Sequence, residues 1–146
     1  MPEVRVDSAM TNEERVILIS AASRARENAH APYSQFRVGA ALRANSGRIF
    51  TGCNIENSSF GLTVCAERVA VFKALSEGER RFDAIAVVAD TERLTPPCGA
   101  CRQILWEFCR DAEVVLANLS GQITMRRVPD LLPDAFDASF IEKKED

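Results

Sequence analysis

The sequence predicts an α/β fold, a mixed β-sheet covered by helices on its faces. Three observations carry that prediction. Helical and strand-like segments alternate in the order α-β-β-α-β-α-β-β-α. Two turn clusters, Asn45-Ser46-Gly47 and Ser120-Gly121, separate pairs of strand-like segments and read as hairpin connections. The 146 residues contain no repeat, linker or low-complexity stretch, so 1–146 reads as a single domain with one core.

Each element has a local reason. Thr11-Asn12-Glu13-Glu14 has capping-box spacing, with Thr11 as N-cap. Val16, Leu18, Ile19, Ala22, Ala25 and Ala29 then recur at helical period, and Pro32 ends that helix near His30. Phe36 to Ala44 and Arg48 to Asn54 read as a strand and its return, followed by a loop at Asn57 to Gly61. A helix runs from about Cys65 to Ser76, with Gly78 as its stop. Ala84 to Ala89 is a nearly continuous apolar run and reads as a buried strand. Thr95-Pro96-Pro97 breaks the chain before a helix from about Cys98 to Arg110. Glu113 to Leu119 and Gln122 to Val128 form the last strand pair, and Pro129 to Leu132 a short helix. The final residues, Glu142 to Asp146, are expected to be mobile.

Composition narrows the function. Apolar residues are 47% and charged residues 27%, an ordinary globular balance. The net charge of -3 and the scattered basic pairs Arg80-Arg81 and Arg126-Arg127 offer no phosphate-binding stripe. Nucleic acid is therefore not the expected partner, and a small polar molecule fits better. No apolar run approaches the roughly 20 residues of a membrane span, and Met1 to Met10 lacks the features of a secretory signal. Five cysteines, two of them in a Cys-x-x-Cys, favour metal binding in a reducing cytoplasm over disulfides.

The chemistry is concentrated in two short segments, Cys65-Ala66-Glu67 and Pro97-Cys98-Gly99-Ala100-Cys101. Cys65 opens one helix; Cys98 and Cys101 lie at i and i+3 in the first turn of another. Helix N-termini favour thiolate over thiol, and thiolate is the form that binds zinc. Three ligands with one open position describe a catalytic zinc site, whereas a structural site fills all four. Cys53, Cys109 and His30 are the other Cys or His candidates, and each reads more simply as structural. Three thiolates on Zn²⁺ leave a formal charge of about -1, which works against acidifying water. Arg68, one turn from Cys65, is placed to offset that charge through a hydrogen bond to sulfur. Glu67 is the candidate general base and acid beside the metal. Its plainer reading is a carboxylate complementing a helix dipole.

With these motifs in place, the chain resembles the cytidine deaminases of the short, homotetrameric type. The likeness runs from Ala31 to Phe136, through Pro32-Tyr33-Ser34-Gln35-Phe36-Arg37-Val38-Gly39-Ala40-Ala41-Leu42 and Gly52-Cys53-Asn54-Ile55-Glu56-Asn57. It continues through Cys65-Ala66-Glu67-Arg68, Pro97-Cys98-Gly99-Ala100-Cys101-Arg102-Gln103 and Leu131-Leu132-Pro133-x-x-Phe136. The resemblance implies a three-layer α/β/α sandwich with a mixed five-stranded sheet. It implies one Zn²⁺ per subunit on Cys65, Cys98 and Cys101, with Glu67 as acid and base. The implied reaction is hydrolytic deamination of cytidine and 2'-deoxycytidine to the uridines, with release of ammonia. Asn54 and Glu56 match residues that hold the ribose 3'-hydroxyl; alone they would read as a polar strand end. Phe36 matches an aromatic that packs on the base, and the Ala66 N–H one that binds the pyrimidine carbonyl. Phe60 and Phe136 match positions that close the site across subunit contacts.

Two departures stand out. The family's Tyr-Pro-Leu-Gly is Phe60-Gly61-Leu62-Thr63 here, and its Phe-Gly-Pro is Phe136-Asp137-Ala138. Three alternatives remain open on sequence. One is a deaminase of a modified cytosine nucleoside such as blasticidin S, which shares the zinc motif. Another is a nucleic-acid-editing deaminase, for which His is the usual first ligand and a basic groove is needed. The last is a zinc-stabilised binding module without activity.

Overall fold

The computed structural model describes residues 10–142. The sequence readings for 1–9 and 143–146 lie outside the described residues. Helix α1 (Asn12–Arg26) starts as expected, with the Glu14 N–H donating to Thr11 Oγ1 at 3.1 Å. Strands β1 (Val38–Ala44) and β2 (Ile49–Cys53) form the first hairpin. A 3₁₀ turn at Phe60–Leu62 leads into helix α2 (Ala66–Ser76). Strand β3 (Phe82–Ala89), helix α3 (Gly99–Phe108) and strand β4 (Glu113–Asn118) follow. Strand β5 (Ile123–Arg127), a short helix α4 (Val128–Leu131) and a 3₁₀ turn at Ala138–Phe140 complete the described chain.

The five strands make one mixed sheet in the order β2-β1-β3-β4-β5. Only β3 and β4 run parallel; the other neighbours are antiparallel. The exception follows from α3, because parallel neighbours need a crossover long enough to return the chain.

Side-chain alternation along the central strands divides the core in two. Ala40, Leu42, Ile85, Val87, Val114 and Leu116 pack on one face with Ala70 and Val71 of α2 and Leu105 of α3. Ala41, Ala84, Ala86, Val88, Val115 and Ala117 pack on the other with Leu18, Ala21 and Ala22 of α1. The expected single core is thus two layers separated by the sheet, and the α/β/α sandwich holds.

Several boundaries differ from the sequence reading; β3, for one, begins at Phe82, two residues ahead of the expected Ala84. Helix α1 ends at Arg26, because His30 leaves it to pair beside Ile55; the His30 N–H donates to the Asn54 carbonyl at 3.0 Å. Strand β1 starts at Val38, because the chain at Phe36 is engaged by side chains instead of a neighbouring strand. A 3₁₀ turn overlaps the expected loop at Phe60. Helix α3 stops at Phe108, with Cys109 as its cap. Along α1, Val16 shares the helical period of the buried residues yet is 62% exposed.

Two glycines set how closely the helices approach. A Cβ at Gly39 would collide with the Ala22 carbonyl and sit 2.6 Å from the Arg26 nitrogen. A Cβ at Gly52 would collide with the Ala66 carbonyl and sit 2.7 Å from the Ala70 nitrogen. The first turn of α2 therefore lies directly on β2, and Gly52 is what lets it. Gly52→Ala is expected to lower stability by about 1–3 kcal/mol, read as a reduced midpoint in thermal unfolding. An unchanged midpoint would show that this contact does not place α2.

Candidate metal centre and active site

The site forms where α2 and α3 begin. Cys65 is the N-cap of α2 and Cys98 the N-cap of α3, both with extended backbone. Neither side chain caps its own helix, so both sulfurs are free to turn towards a shared point. Cys101 is the third residue of α3 and fully buried. All three Sγ atoms lie within 4.8 Å of one another, and Cys65 Sγ is 3.7 Å from Cys98 Sγ.

That spacing fits zinc. Two sulfurs bonded at about 2.3 Å and separated by the tetrahedral angle lie about 3.8 Å apart. Among the described residues the cluster closes at three members, the donor count of a site with an open position. His30 is held in its bridge beside Ile55, Cys53 lies in β2, and Cys109 is buried with its thiol pushed up to about 12 by desolvation. All five cysteines are free thiols.

The thiols by themselves already favour an anion at Cys65. The Cys101 thiol donates to it, burial opposes, and Arg68 adds a further hydrogen bond; together they push Cys65 down to about 5. Cys101 moves up in return, because it supplies that hydrogen bond and is buried. Arg68 Nη2 stands 3.4 Å from Cys65 Sγ and also reaches the Thr63 carbonyl at 3.5 Å. The expected contact between guanidinium and sulfur is therefore formed. Glu67 follows Ala66 in the first turn of α2 and is 5% exposed. Burial pushes its carboxyl up from the ordinary glutamate range.

A cavity of about 260 Å³ opens beside the sulfurs, lined by Phe36, Asn54, Glu56, Cys65, Ala66, Glu67 and Cys98. Seven of the predicted site residues, from four separate segments, thus line one cavity, with Cys101 buried behind it. Asn54 is buried and bridges the chain opposite: the Val38 N–H donates to its Oδ1 at 2.9 Å, and its Nδ2 donates to the Phe36 carbonyl at 2.6 Å. Glu56 Oε1 accepts from the Tyr33 N–H at 2.9 Å and the Ser34 N–H at 3.1 Å, and Oε2 accepts from the Ser34 hydroxyl. The Ser34 hydrogen bonds hold its carboxyl below the usual glutamate range.

Phe60 and Phe136 stand outside this cavity. Phe60 is 73% exposed and meets Tyr33 edge to face, with centroids 5.6 Å apart. Phe136 stacks on Phe140 at 5.6 Å, and its carbonyl accepts from Gln103 Nε2 at 2.8 Å. The departure at Asp137 has a consequence. Its carboxylate accepts from Trp106 Nε1 and Arg110 Nη2, each at 3.1 Å, and pins the C-terminal segment to α3. At the other departure, Thr63 Oγ1 accepts from the Asn57 N–H at 3.2 Å and closes the loop before Cys65.

Sequence reasoning missed Ser34, Val38, Thr63, Val87, Thr95 and Pro96 as cavity-lining residues. Ser34 carried a signal, since it lies in the Pro32-to-Leu42 segment that supplies Phe36. Val87 carried none beyond being a buried strand residue.

Comparison with known proteins agrees with this geometry. The chain is 57% identical over 126 residues to the cytidine deaminase of Halalkalibacterium halodurans, covering 86% of this chain and 96% of the relative. It is 32% identical over 108 residues to the blasticidin-S deaminase of Bacillus cereus, covering 68% of this chain and 76% of that one. The crystal structure of cytidine deaminase from Burkholderia pseudomallei superposes with a TM-score of 0.81 at 53% identity, covering 87% of this chain and all of that one. Residues 11–118 match the model described as the cytidine and deoxycytidylate deaminase zinc-binding region. By that family match and those identities, the chain belongs to the zinc-binding cytidine and deoxycytidylate deaminase family.

Proposed function

We propose that this chain hydrolytically deaminates cytidine and 2'-deoxycytidine to uridine and 2'-deoxyuridine, releasing ammonia, as a step of pyrimidine salvage. One observation carries the reading: three cysteine sulfurs converge, and two of them, Cys65 and Cys98, line a cavity together with the buried Glu67, Asn54 and Glu56. The similarity to cytidine deaminases at 57% and 53% identity supports the substrate class, and the blasticidin-S relative is more distant.

Cys65, Cys98 and Cys101 would hold the zinc ion, one per subunit. When bound, the ion supplies Lewis acidity that brings the ionisation of water towards neutral pH. The protein's own residues do the rest. Arg68 donates to Cys65 Sγ and draws charge off the thiolate set. Glu67 accepts a proton from the attacking water and passes it to ring N3. It then carries the second water proton to the departing amine. The C4–N bond breaks, a C4–O bond replaces it, and both water protons are accounted for in the uracil N3–H and ammonia. Burial suits Glu67 to this work, because a carboxyl raised towards neutral pH can both take and return a proton.

The Ala66 N–H belongs to the unpaired first turn of α2 and would serve as the donor to the pyrimidine carbonyl. Phe36 lines the cavity, where it would pack on the base. Asn54 and Glu56 fix the ribose 3'-hydroxyl with their remaining hydrogen-bonding capacity.

The functional unit is one domain spanning 1–146, acting as a homotetramer in which Phe60 and Phe136 close sites near subunit contacts. Phe60, Leu62 and Phe140 are 73%, 66% and 71% exposed, apolar surface of the kind that association covers. Free cysteine thiols suit a cytoplasmic location. Among the described residues, no helix is long and apolar enough to cross a membrane.

Purified, metal-quantified protein is expected to deaminate cytidine and deoxycytidine in preference to cytosine, adenosine and blasticidin S, followed by ultraviolet absorbance. Glu67→Gln should retain zinc while kcat falls by at least about 10²-fold; near-normal turnover would reject the role. Sedimentation should give a four-chain particle, and a fully active monomer would remove the tetramer.

A further inference from the structure

The loop between Asp90 and Pro97 joins β3 to α3 without regular secondary structure. It nevertheless has a positional task. Thr95 and Pro96 line the cavity, and the next steps deliver Cys98 to the sulfur cluster. Such a segment needs outside anchors. Arg102 supplies one: its Nε donates to the Pro97 carbonyl at 2.8 Å, and its Nη1 donates to the Leu131 carbonyl at 3.0 Å.

The other anchor is Asn118, the last residue of β4 and 6% exposed. It pairs in register with Ala89, the residue just before the loop. Its two ends face different partners. Oδ1 accepts from the Ser120 N–H at 3.2 Å, the Ser120 hydroxyl at 3.1 Å and the Gln122 N–H at 3.0 Å, closing the β4–β5 turn. Nδ2 donates to the Thr91 carbonyl at 2.9 Å and the Glu92 carbonyl at 3.4 Å, and to Gln122 Oε1 at 2.9 Å. The acceptor end builds the turn; the donor end reaches across to the loop. Inside the loop, the Thr91 and Thr95 hydroxyls lie 3.2 Å apart and carry the tether towards the cavity wall.

We propose that Asn118 is a positioning residue for the metal centre: its amide N–H₂ fixes the loop that sets the cavity wall and presents Cys98. The kinetic side of this inference rests on the deaminase reading; the metal-holding side does not.

The two ends of the amide can be separated by substitution. Asn118→Asp keeps the acceptor for the turn and sets an oxygen against the Thr91 and Glu92 carbonyls. Asn118→Ser leaves a short polar side chain at the turn that cannot span to the loop. Ser120→Ala weakens the turn and leaves the loop tether intact. Zinc-loaded wild type and the three variants are compared for the rate of zinc transfer to excess 4-(2-pyridylazo)resorcinol, and for KM with cytidine. Asn118→Asp and Asn118→Ser are expected to release zinc about three- to tenfold faster, the range one ordinary hydrogen bond supplies, and to raise KM. Ser120→Ala is expected to match wild type in both. Wild-type release from both Asn118 variants, or equal acceleration by Ser120→Ala, would overturn the inference. Failure of both Asn118 variants to fold would also overturn it, by assigning the amide to overall stability. A wild-type protein inert towards cytidine would reject the proposed function, while zinc release would still decide on Asn118.

Discussion

Three sulfur donors within 4.8 Å of one another are the constraint on which the rest of this structure depends. Thiolates that close repel, so the arrangement holds only where positive charge is supplied. Two helix N-termini and the Arg68 guanidinium provide part of it, and a bound zinc ion would provide the rest. The sulfurs come from segments separated by the whole of α2 and β3. Their meeting is therefore a property of the sheet and of the way each helix is seated on it.

That seating depends on contacts remote from the chemistry. Gly52 lets α2 lie against β2 and so fixes Cys65, Ala66 and Glu67 as a unit. Arg102 fixes the carbonyl of Pro97, next to Cys98. Asn54 and Glu56 tie the segment from Tyr33 to Val38 to the end of the first hairpin, which places Phe36 at the cavity. The same side chains that would meet a ribose are thus already engaged with backbone. A ligand would meet a wall whose polar groups are preorganised, and little ordering would remain at binding.

The metal cluster was legible in the sequence because its determinants are local. A cysteine at a helix start, a glutamate two residues on and a Cys-x-x-Cys after two prolines can each be read within a few residues. The strands were legible for a similar reason, through apolar runs and turn chemistry. What failed depended on distant partners. Val16 has helical period but no layer above it. Phe36 looked like the start of a strand, yet its N–H and carbonyl go to Ser34 and Asn54. The close approach at Gly52 and the two-ended amide at Asn118 exist only once β2 meets α2 and β4 lies beside β3. The departure at Asp137 left the tail undefined on sequence, and its anchor is a tryptophan of α3 and Arg110 just beyond that helix.

The central claim is that three cysteines hold zinc and leave one position open. X-ray absorption at the zinc edge of active protein tests it most directly. The account predicts three sulfur neighbours at about 2.3 Å and one lighter neighbour at about 2.0 Å. Four sulfur neighbours, or full activity in protein that contains no zinc, would contradict it.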